Sequence, residues 1–328
     1  MVNNQNLFAL IDQFAAILDL QASNVDDNTL FLTEILDTIK EIEAAYISFI
    51  VSSVSTADVT EVTTYYRKTL HPFLLQSPFM SRCFHKPLGY AGDYEMIHMI
   101  HSEPKNGNTR IGKLLNELVL KTEVAEAARQ RTKYISNLLL RHMKINSGKC
   151  KIMSVACGPA LEIANILQTT PDSAIKSHFT LLDQEREALA FCNNTINTLC
   201  NKIDVQLSID YIHKKIQDFI ADKANKNLFG QFSLVYSFGL FDYFDYRTAR
   251  LIIKCLLPLL CKSGKLVIAN LSLDGHRSRA LMEMGLDWHL VYRSRIEMHK
   301  LAESIDGISN VAVDEISNRL VKILTITV

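Results

Sequence analysis

The chain has 328 residues, 48% of them hydrophobic and 21% charged, with 35 Lys and Arg against 35 Asp and Glu. At roughly 100–200 residues per domain, this length is expected to hold two domains, with core enough to need no disulfide or metal staple. Zero net charge argues against nucleic acid as the main partner, and high apolar content without low-complexity runs argues against disorder.

Residues 1–148 read as a helical domain. Leu7, Leu10, Ile11, Phe14, Ile17 and Leu18 recur at helical spacing, as do the apolar residues from Leu30 to Tyr46. Residues 71–93 gather Pro72, Pro78, Pro87, Gly89 and Gly92 and read as a loop-rich segment. Helical patterning returns over 111–118 and 124–143. The polar stretch that follows, with Ser147-Gly148, places a boundary at 148/149.

Residues 149–328 change character. Apolar runs at 151–158 (KIMSVACG), 179–183 (FTLLD), 205–211, 232–238 (FSLVYSF) and 265–271 (KLVIANL) read as five strands. Helical patterns over 160–167, 188–199 and 248–260 lie between them. Such alternation means βαβ units and a parallel sheet with helices on both faces. Lys262-Ser263-Gly264-Lys265 reads as the turn that closes the last of these helices onto its strand. Residues 310–313 and 320–328 are two further strand-like runs, expected as a terminal antiparallel hairpin on the sheet edge.

The cysteines, Cys83, Cys150, Cys157, Cys192, Cys200, Cys255 and Cys261, form no CxxC pair and match no zinc spacing, which suits a reducing cytosol. The first residues lack the basic region and cleavage site of a signal peptide. The longest apolar stretch, 251–261, holds Lys254 and Pro258 and is too short to span a bilayer. The expectation is a cytoplasmic protein without a membrane span or a metal.

Several segments carry candidate chemistry. In Ser154-Val155-Ala156-Cys157-Gly158-Pro159-Ala160-Leu161-Glu162 a strand ends in glycine and opens a helix, which lets backbone approach a ligand and aims helix N–H groups at it. A single glycine supplies a pyrophosphate cradle poorly, which disfavours NAD. Asp183, followed by Gln184, closes the next strand, where an acid of a doubly wound fold accepts hydrogen bonds from ribose hydroxyls; a helix cap is its competing role. Gln217 and Asp218 carry groups able to hydrogen-bond an adenine amino group, with Phe219 beside the ring. Ser237, Phe238, Gly239, Phe241 and Tyr243 lie where the fourth strand ends; aromatic faces there attract cations, and core packing is the competing role. Gly89 and Gly92 permit a tight loop in which Tyr90, Asp93 and Tyr94 supply polar heads, with Asp93 equally suited to cap a helix. Arg129, Arg131 and Lys133 lie on the helix before the first strand. Trp288, His289, Tyr292 and Arg293 form a polar–aromatic cluster in an expected late helix, with His289 a candidate base.

The order VACGPALE, LLDQE, IQDF, LVYSFGLFDYF and LCKSGKLVIANL resembles the class I S-adenosylmethionine (SAM) methyltransferase fold across about residues 150–328. That resemblance implies an α/β, Rossmann-like seven-stranded sheet whose last strand is antiparallel. One departure is Ser154, which stands where that fold commonly has an acid. HKPLGYAGDYEMI (85–97), SFGLFDYF and MGLDWHLVYRS (284–294) resemble a bacterial subfamily described as extracellular-factor 3-hydroxypalmitic acid methyl ester biosynthesis proteins. The same broad group includes azetidine-2-carboxylate synthases. The resemblance implies SAM as cofactor, held by Ala156, Cys157, Gly158, Pro159, Asp183, Gln184, Gln217, Asp218, Phe219, Ser237, Phe238, Gly239, Phe241 and Tyr243, with Arg131 on its carboxylate. Tyr90, Asp93, Tyr94 and His289 are the candidates for catalysis, on a loop folded over the cofactor and in the late helix.

Two reactions fit that implication. In the first, methyl passes to the carboxylate of a small or 3-hydroxy fatty-acyl acceptor, which is already ionised and needs no base. In the second, the amine of SAM attacks its own chain, giving azetidine-2-carboxylate and methylthioadenosine, with Tyr90, Tyr94 and Asn270 orienting the amine. The partner is then a small-molecule acceptor or SAM itself. A SAM-sensing protein without turnover is a third reading. Oligomeric state is not legible.

Overall fold

Apolar spacing in the first 74 residues folds as three helices, α1 (Asn4–Ser23), α2 (Asn28–Val51) and α3 (Thr56–Leu74). Leu7, Ile11, Phe14 and Leu18 are buried on the first, Ile35, Ile42 and Tyr46 on the second, and Val62, Tyr66, Leu70 and Leu74 on the third. Their three- and four-residue intervals make one apolar stripe per helix. The structure is a computed structural model that describes residues 4–23, 28–52, 54–102, 105–147, 149–171, 176–221 and 231–328. Gly148 and the side chain of Leu30, both invoked above, lie outside what it describes.

The expected loop at 71–93 is largely helical. α3 continues through Pro72 to Leu74, and α4 (Pro78–His85) begins on Pro78, where the Ser77 side chain accepts the Met80 N–H. Proline suits a first helical turn because its missing N–H has no helical partner there. Asp93 caps α5 (Tyr94–Ile100) in the same way, so residues 75–77 and 86–93 are what remains outside helix. α6 (Arg110–Leu120) and α7 (Glu123–Ile145) follow.

Two compact units result, Met1–Glu126 with His276–His289, and Ala127–Gly275 with Leu290–Val328. The division falls inside α7 because its later turns are bonded into the second unit. Ser136 Oγ donates to Glu162 O at 3.3 Å, and His142 Nε2 lies 2.8 Å from Ser233 Oγ.

Carboxylates hold the excursion 276–289 within the first unit. Glu43 accepts the N–H groups of Arg279 and Ala280 at 2.8 and 2.7 Å, and Glu123 accepts those of Arg277 N–H and Ser278 Oγ–H at 2.7 and 2.9 Å. Asp287, at φ +52°, receives Arg67 at 2.9 Å and Lys86 at 2.5 Å. This left-handed residue stops the π-helical turn Leu281–Gly285, and no helix resumes before Ser294 caps the next one. His289 is therefore not in a late helix, which corrects the sequence reading.

His276 in this excursion has a side chain only 1% exposed. The Ser278 N–H donates to its Nδ1 at 3.2 Å, which fixes a neutral tautomer despite Glu123 at 3.7 Å. Burial, with the Arg279 charge, pulls its pKa down to about 4 from 6.5. The folded value lies below the unfolded one, so this contribution is complete above pH 6.5 and is lost as pH falls towards 4. About 3 kcal/mol of acid sensitivity is expected, and His276→Gln should flatten the denaturant midpoint across that window.

The second unit is a seven-stranded sheet in the order β3-β2-β1-β4-β5-β7-β6. Its strands are β1 (Lys151–Val155), β2 (His178–Asp183), β3 (Ser208–His213), β4 (Phe232–Phe238), β5 (Leu260–Leu271), β6 (Asn310–Ile316) and β7 (Val321–Thr327). The first five are parallel and β7 runs antiparallel between β5 and β6, the topology that the resemblance implies. The terminal hairpin is present as expected. α8 (Leu161–Thr169), α9 (Arg186–Ile203), α10 (Ile216–Ala221), α11 (Tyr246–Leu256) and α12 (Arg295–Lys300) complete the unit. Lys262-Ser263-Gly264 is not a turn before β5 but a bulge inside it. Pairing jumps from Phe232↔Leu260 to Leu234↔Lys265, and a Cβ at Gly264 would stand 2.8 Å from Cys261 O. Among the described residues no helix is long and apolar enough to cross a membrane.

Candidate functional site

Strand order reverses between β1 and β4, which opens a crevice outside their carboxyl ends, where open α/β sheets take ligands. The turn after β1 is wound tightly there. Ala156, Gly158 and Ala160 have φ of +55°, +54° and +47°. Two alanines in the left-handed region cost about 1 kcal/mol each, a strain that native structures concentrate at functional turns. Gly158 N–H donates to Asp183 Oδ2 at 2.9 Å, and Cys157 N–H to Leu182 O at 3.1 Å. A Cβ at Gly158 would meet nothing within 4 Å, so open space faces the turn. Cys157 and Pro159 are buried beneath it.

Asp183 is 4% exposed, and its other oxygen accepts Glu185 N–H at 3.0 Å. Burial pushes its pKa up, against the pull of those backbone donors. With the Gln184 N–H acting on it as well, the carboxylate still has acceptor capacity beyond these backbone donors. Gln184 beside it is exposed. Gln217 and Asp218 are exposed on α10, whereas Phe219 packs into the core with Met153, Val155 and Leu182. Phe219 therefore offers no face to a ligand.

At the end of β4, Ser237 Oγ donates to Val155 O at 2.9 Å and ties the two central strands together. Phe238 is half-buried, and Tyr243 is 36% exposed. Phe241 is fully buried in the same core as Phe219, so it too serves packing. Arg131 reaches this loop from α7, its guanidinium 3.5 Å from where a Cβ would stand on Gly239. Its nearest acid, Asp242 Oδ2, is 3.9 Å away, beyond hydrogen-bond range, and it makes no hydrogen bond among the described residues. Burial lowers its pKa and the Asp242 charge opposes that.

Behind the loop lies a saturated network. Asp242 Oδ1 accepts Leu271 N–H at 2.6 Å. Arg293 donates to Phe241 O at 2.8 Å, to Phe244 O and to Asn270 Oδ1, while Asn270 Nδ2 donates to Leu271 O and Val291 O at 2.8 Å. Both Nδ2 hydrogens of Asn270 are thus committed to backbone carbonyls, and its Oδ1 already accepts from Arg293. Sequence reasoning gives Glu162, at the end of the strand–glycine–helix segment, no role of its own. Its Oε1 accepts the buried Tyr236 hydroxyl at 2.7 Å. An acid in a first helical turn ordinarily reads as a dipole partner in solvent, so only the packing reveals its burial.

The remaining candidates lie in the first unit. Both carboxylate oxygens of buried Asp93 accept the Arg82 Nε–H, at 2.9 and 3.0 Å, and Oδ1 also accepts the Met96 N–H at 2.9 Å. Its carboxylate is a cap and ion-pair partner. Tyr90 and Tyr94 are half-buried around that cap. His289 has a side chain 65% exposed, with Nε2 3.5 Å from Asp287 Oδ1. Among the described residues no group of three or more His, Cys, Asp or Glu is placed to hold a metal ion.

No protein-family profile matches the chain, and no curated protein does. Solved structures do. A possible exported protein from Bordetella parapertussis aligns with a TM-score of 0.56 at 15% identity, covering 99% of this chain and 96% of its own. The magnesium protoporphyrin IX methyltransferase of Synechocystis PCC 6803, solved with bound S-adenosylhomocysteine, aligns at 0.50 and 11% identity, covering 76% of this chain and 98% of its own. At such identities the likeness shows the fold alone: an α/β, Rossmann-like methyltransferase sheet with N-terminal helices.

Proposed function

We propose that the carboxyl rim of the sheet binds SAM and that the chain transfers its methyl group to the carboxylate of a small or fatty-acyl acid. The observation that carries this reading is Arg131, a guanidinium set at the switch-point loop, 3.9 Å from Asp242 and without a hydrogen bond among the described residues. The carboxylate of an amino-acid ligand completes it by a bidentate pair.

The other rim residues fit the rest of such a ligand. The remaining acceptor capacity of Asp183 suits vicinal ribose hydroxyls, and the open side of Gly158 admits the sugar. Gln217 and Asp218 offer exposed polar groups at the edge where an adenine would end. Phe238 and Tyr243 present aromatic faces to a cation, and Asp242 balances the charge of Arg131. When bound, SAM supplies a methyl group on a sulfonium centre. An acceptor carboxylate is ionised at neutral pH, so the chain has only to position and desolvate it. No step is assigned to Tyr90, Asp93, Tyr94 or His289. The seven free thiols support work in a reducing compartment.

Incubation with SAM and 3-hydroxy fatty acids is expected to yield S-adenosylhomocysteine and a methyl ester. Methylthioadenosine formed from SAM alone would instead assign ring closure by the amine. Arg131→Met should weaken SAM by about 1.5–3 kcal/mol, the range for a charge-assisted hydrogen bond, and leave methylthioadenosine, which has no carboxylate, unaffected. Equal losses for both ligands in binding titrations would remove Arg131 from the site.

A further inference from the structure

Two cysteines meet at the turn that faces the candidate crevice. Cys157 stands in that turn, between Ala156 and Gly158, and Cys192 lies on α9. Cys192 Sγ–H donates to Gly158 O at 2.9 Å, and Cys157 Sγ lies 3.7 Å from the same oxygen. Two free thiols thus converge on one carbonyl, and it belongs to the residue whose N–H binds Asp183. Cys157 is 8% exposed and Cys192 fully buried, so a small solute reaches Cys157 first. Cys200, eight residues further along the same helix, is about 12 Å from Cys192 along the axis, beyond disulfide reach. The other titratable groups around the pair are Asp183 from β2, Glu162 from α8 and Tyr211 from β3, none of them a cation. The neighbouring Cys192 thiol and burial push the Cys157 thiol up from its ordinary range, so at neutral pH it rests as S–H and reacts slowly.

We propose that Cys157 and Cys192 are a modification site: a two-electron oxidant of the peroxide class joins them in a disulfide that disables the turn for nucleoside binding. The thiolate of Cys157 attacks a peroxide oxygen, the O–O bond breaks, and a sulfenic acid and one water result. Cys192 sulfur then attacks the sulfenic sulfur, the S–S bond forms and a second water leaves. The two thiols give up two electrons and two protons, and one hydrogen peroxide becomes two waters. An S–S bond of about 2.05 Å is far shorter than any contact between unbonded sulfurs, so residue 157 is drawn towards α9 and the turn moves with it. Gly158 O loses both thiols as partners. The disulfide stands on the thiols alone; its effect on nucleoside binding rests on the SAM reading above.

The test treats the full chain with diamide, an azo compound that is reduced to its hydrazine as two thiols become a disulfide. Remaining thiols are then alkylated in denaturant, and the digest is read by mass spectrometry. A Cys157–Cys192 cross-link that dithiothreitol reverses is expected, formed about ten-fold faster at pH 8 than at pH 7 as the thiolate fraction grows. The cross-linked protein should bind S-adenosylhomocysteine about ten-fold more weakly, as for one newly strained backbone position, and dithiothreitol should restore it. Cys192→Ser, which keeps a donor for Gly158 O, should bind within about two-fold of wild type and show neither cross-link nor diamide sensitivity. Recovery of both cysteines as alkylated thiols after exhaustive diamide treatment, or of either one paired with another cysteine, would overturn the proposal on wild-type protein alone. So would a cross-linked protein that binds as tightly as the reduced one. Reduced protein that binds neither SAM nor S-adenosylhomocysteine would refute the SAM reading instead, while the cross-link is still read by mass.

Discussion

Asp183→Ala is expected to lower SAM affinity by on the order of 1–3 kcal/mol and to destabilise the second unit by about 2–4 kcal/mol. The two effects have separate origins. Stability suffers because the buried carboxylate accepts Gly158 N–H and Glu185 N–H and so ties the turn after β1 to the end of β2, leaving two part-buried donors unpaired when it is removed. Each unsatisfied buried donor costs about 1–3 kcal/mol. Affinity suffers because the ribose hydroxyls lose their acceptor, and because the Gly158 turn loses the bond that sets its height above the sheet. Asp183→Asn separates the contributions. Its amide oxygen keeps one of the backbone donors, while its NH2 group confronts the other, so stability should fall by less than in the alanine variant. Chemical denaturation reads the first effect and a SAM binding isotherm the second. A folded alanine variant with wild-type affinity would place the sugar elsewhere on the rim.

Much of the second unit is legible in sequence because its strands are short apolar runs ending in diagnostic residues. KIMSVACG stops at a glycine and FTLLD at an acid, and these become β1 and β2 with their closing turns. The β5 bulge was not legible. Lys-Ser-Gly-Lys has the composition of a turn, and only the pairing with β4 shows that the strand continues through it. The proline-rich segment failed for a related reason: Pro78 marks a helix start as readily as a loop, and the Ser77 cap decides between them. Aromatic residues at the end of β4 divide by direction rather than by type. Phe238 and Tyr243 keep exposed surface while Phe241 is core, a distinction no spacing encodes when the chain leaves regular structure. Asn270 and Arg293 read as reactive polar groups, yet they saturate each other 23 residues apart in sequence.

That saturation sets the second large effect. Arg293→Met is expected to destabilise the second unit by about 3–5 kcal/mol, since each buried acceptor left unsatisfied costs about 1–3 kcal/mol. Arg293 bonds the Phe241 and Phe244 carbonyls and Asn270 Oδ1, so three acceptors lose their donor together. Asp242 also loses a nearby positive charge, and Arg131 at 3.9 Å is the cation that remains close to it. Lysine at 293 should rescue little, because an ammonium lacks the planar fork that spans two carbonyls and an amide. The double variant Arg293→Met with Asp242→Asn should be more stable than the sum of its parts, since the uncompensated acid is gone while an amide oxygen can still accept Leu271 N–H. Loss of the 241–244 anchor should also weaken SAM binding, because Gly239 and Tyr243 sit on the same loop as Phe241. Denaturant midpoints of the two single variants and the double variant give the coupling directly. A strictly additive cycle would mean that Arg293 holds the loop through its carbonyl bonds alone, and that the Asp242 charge is balanced by Arg131.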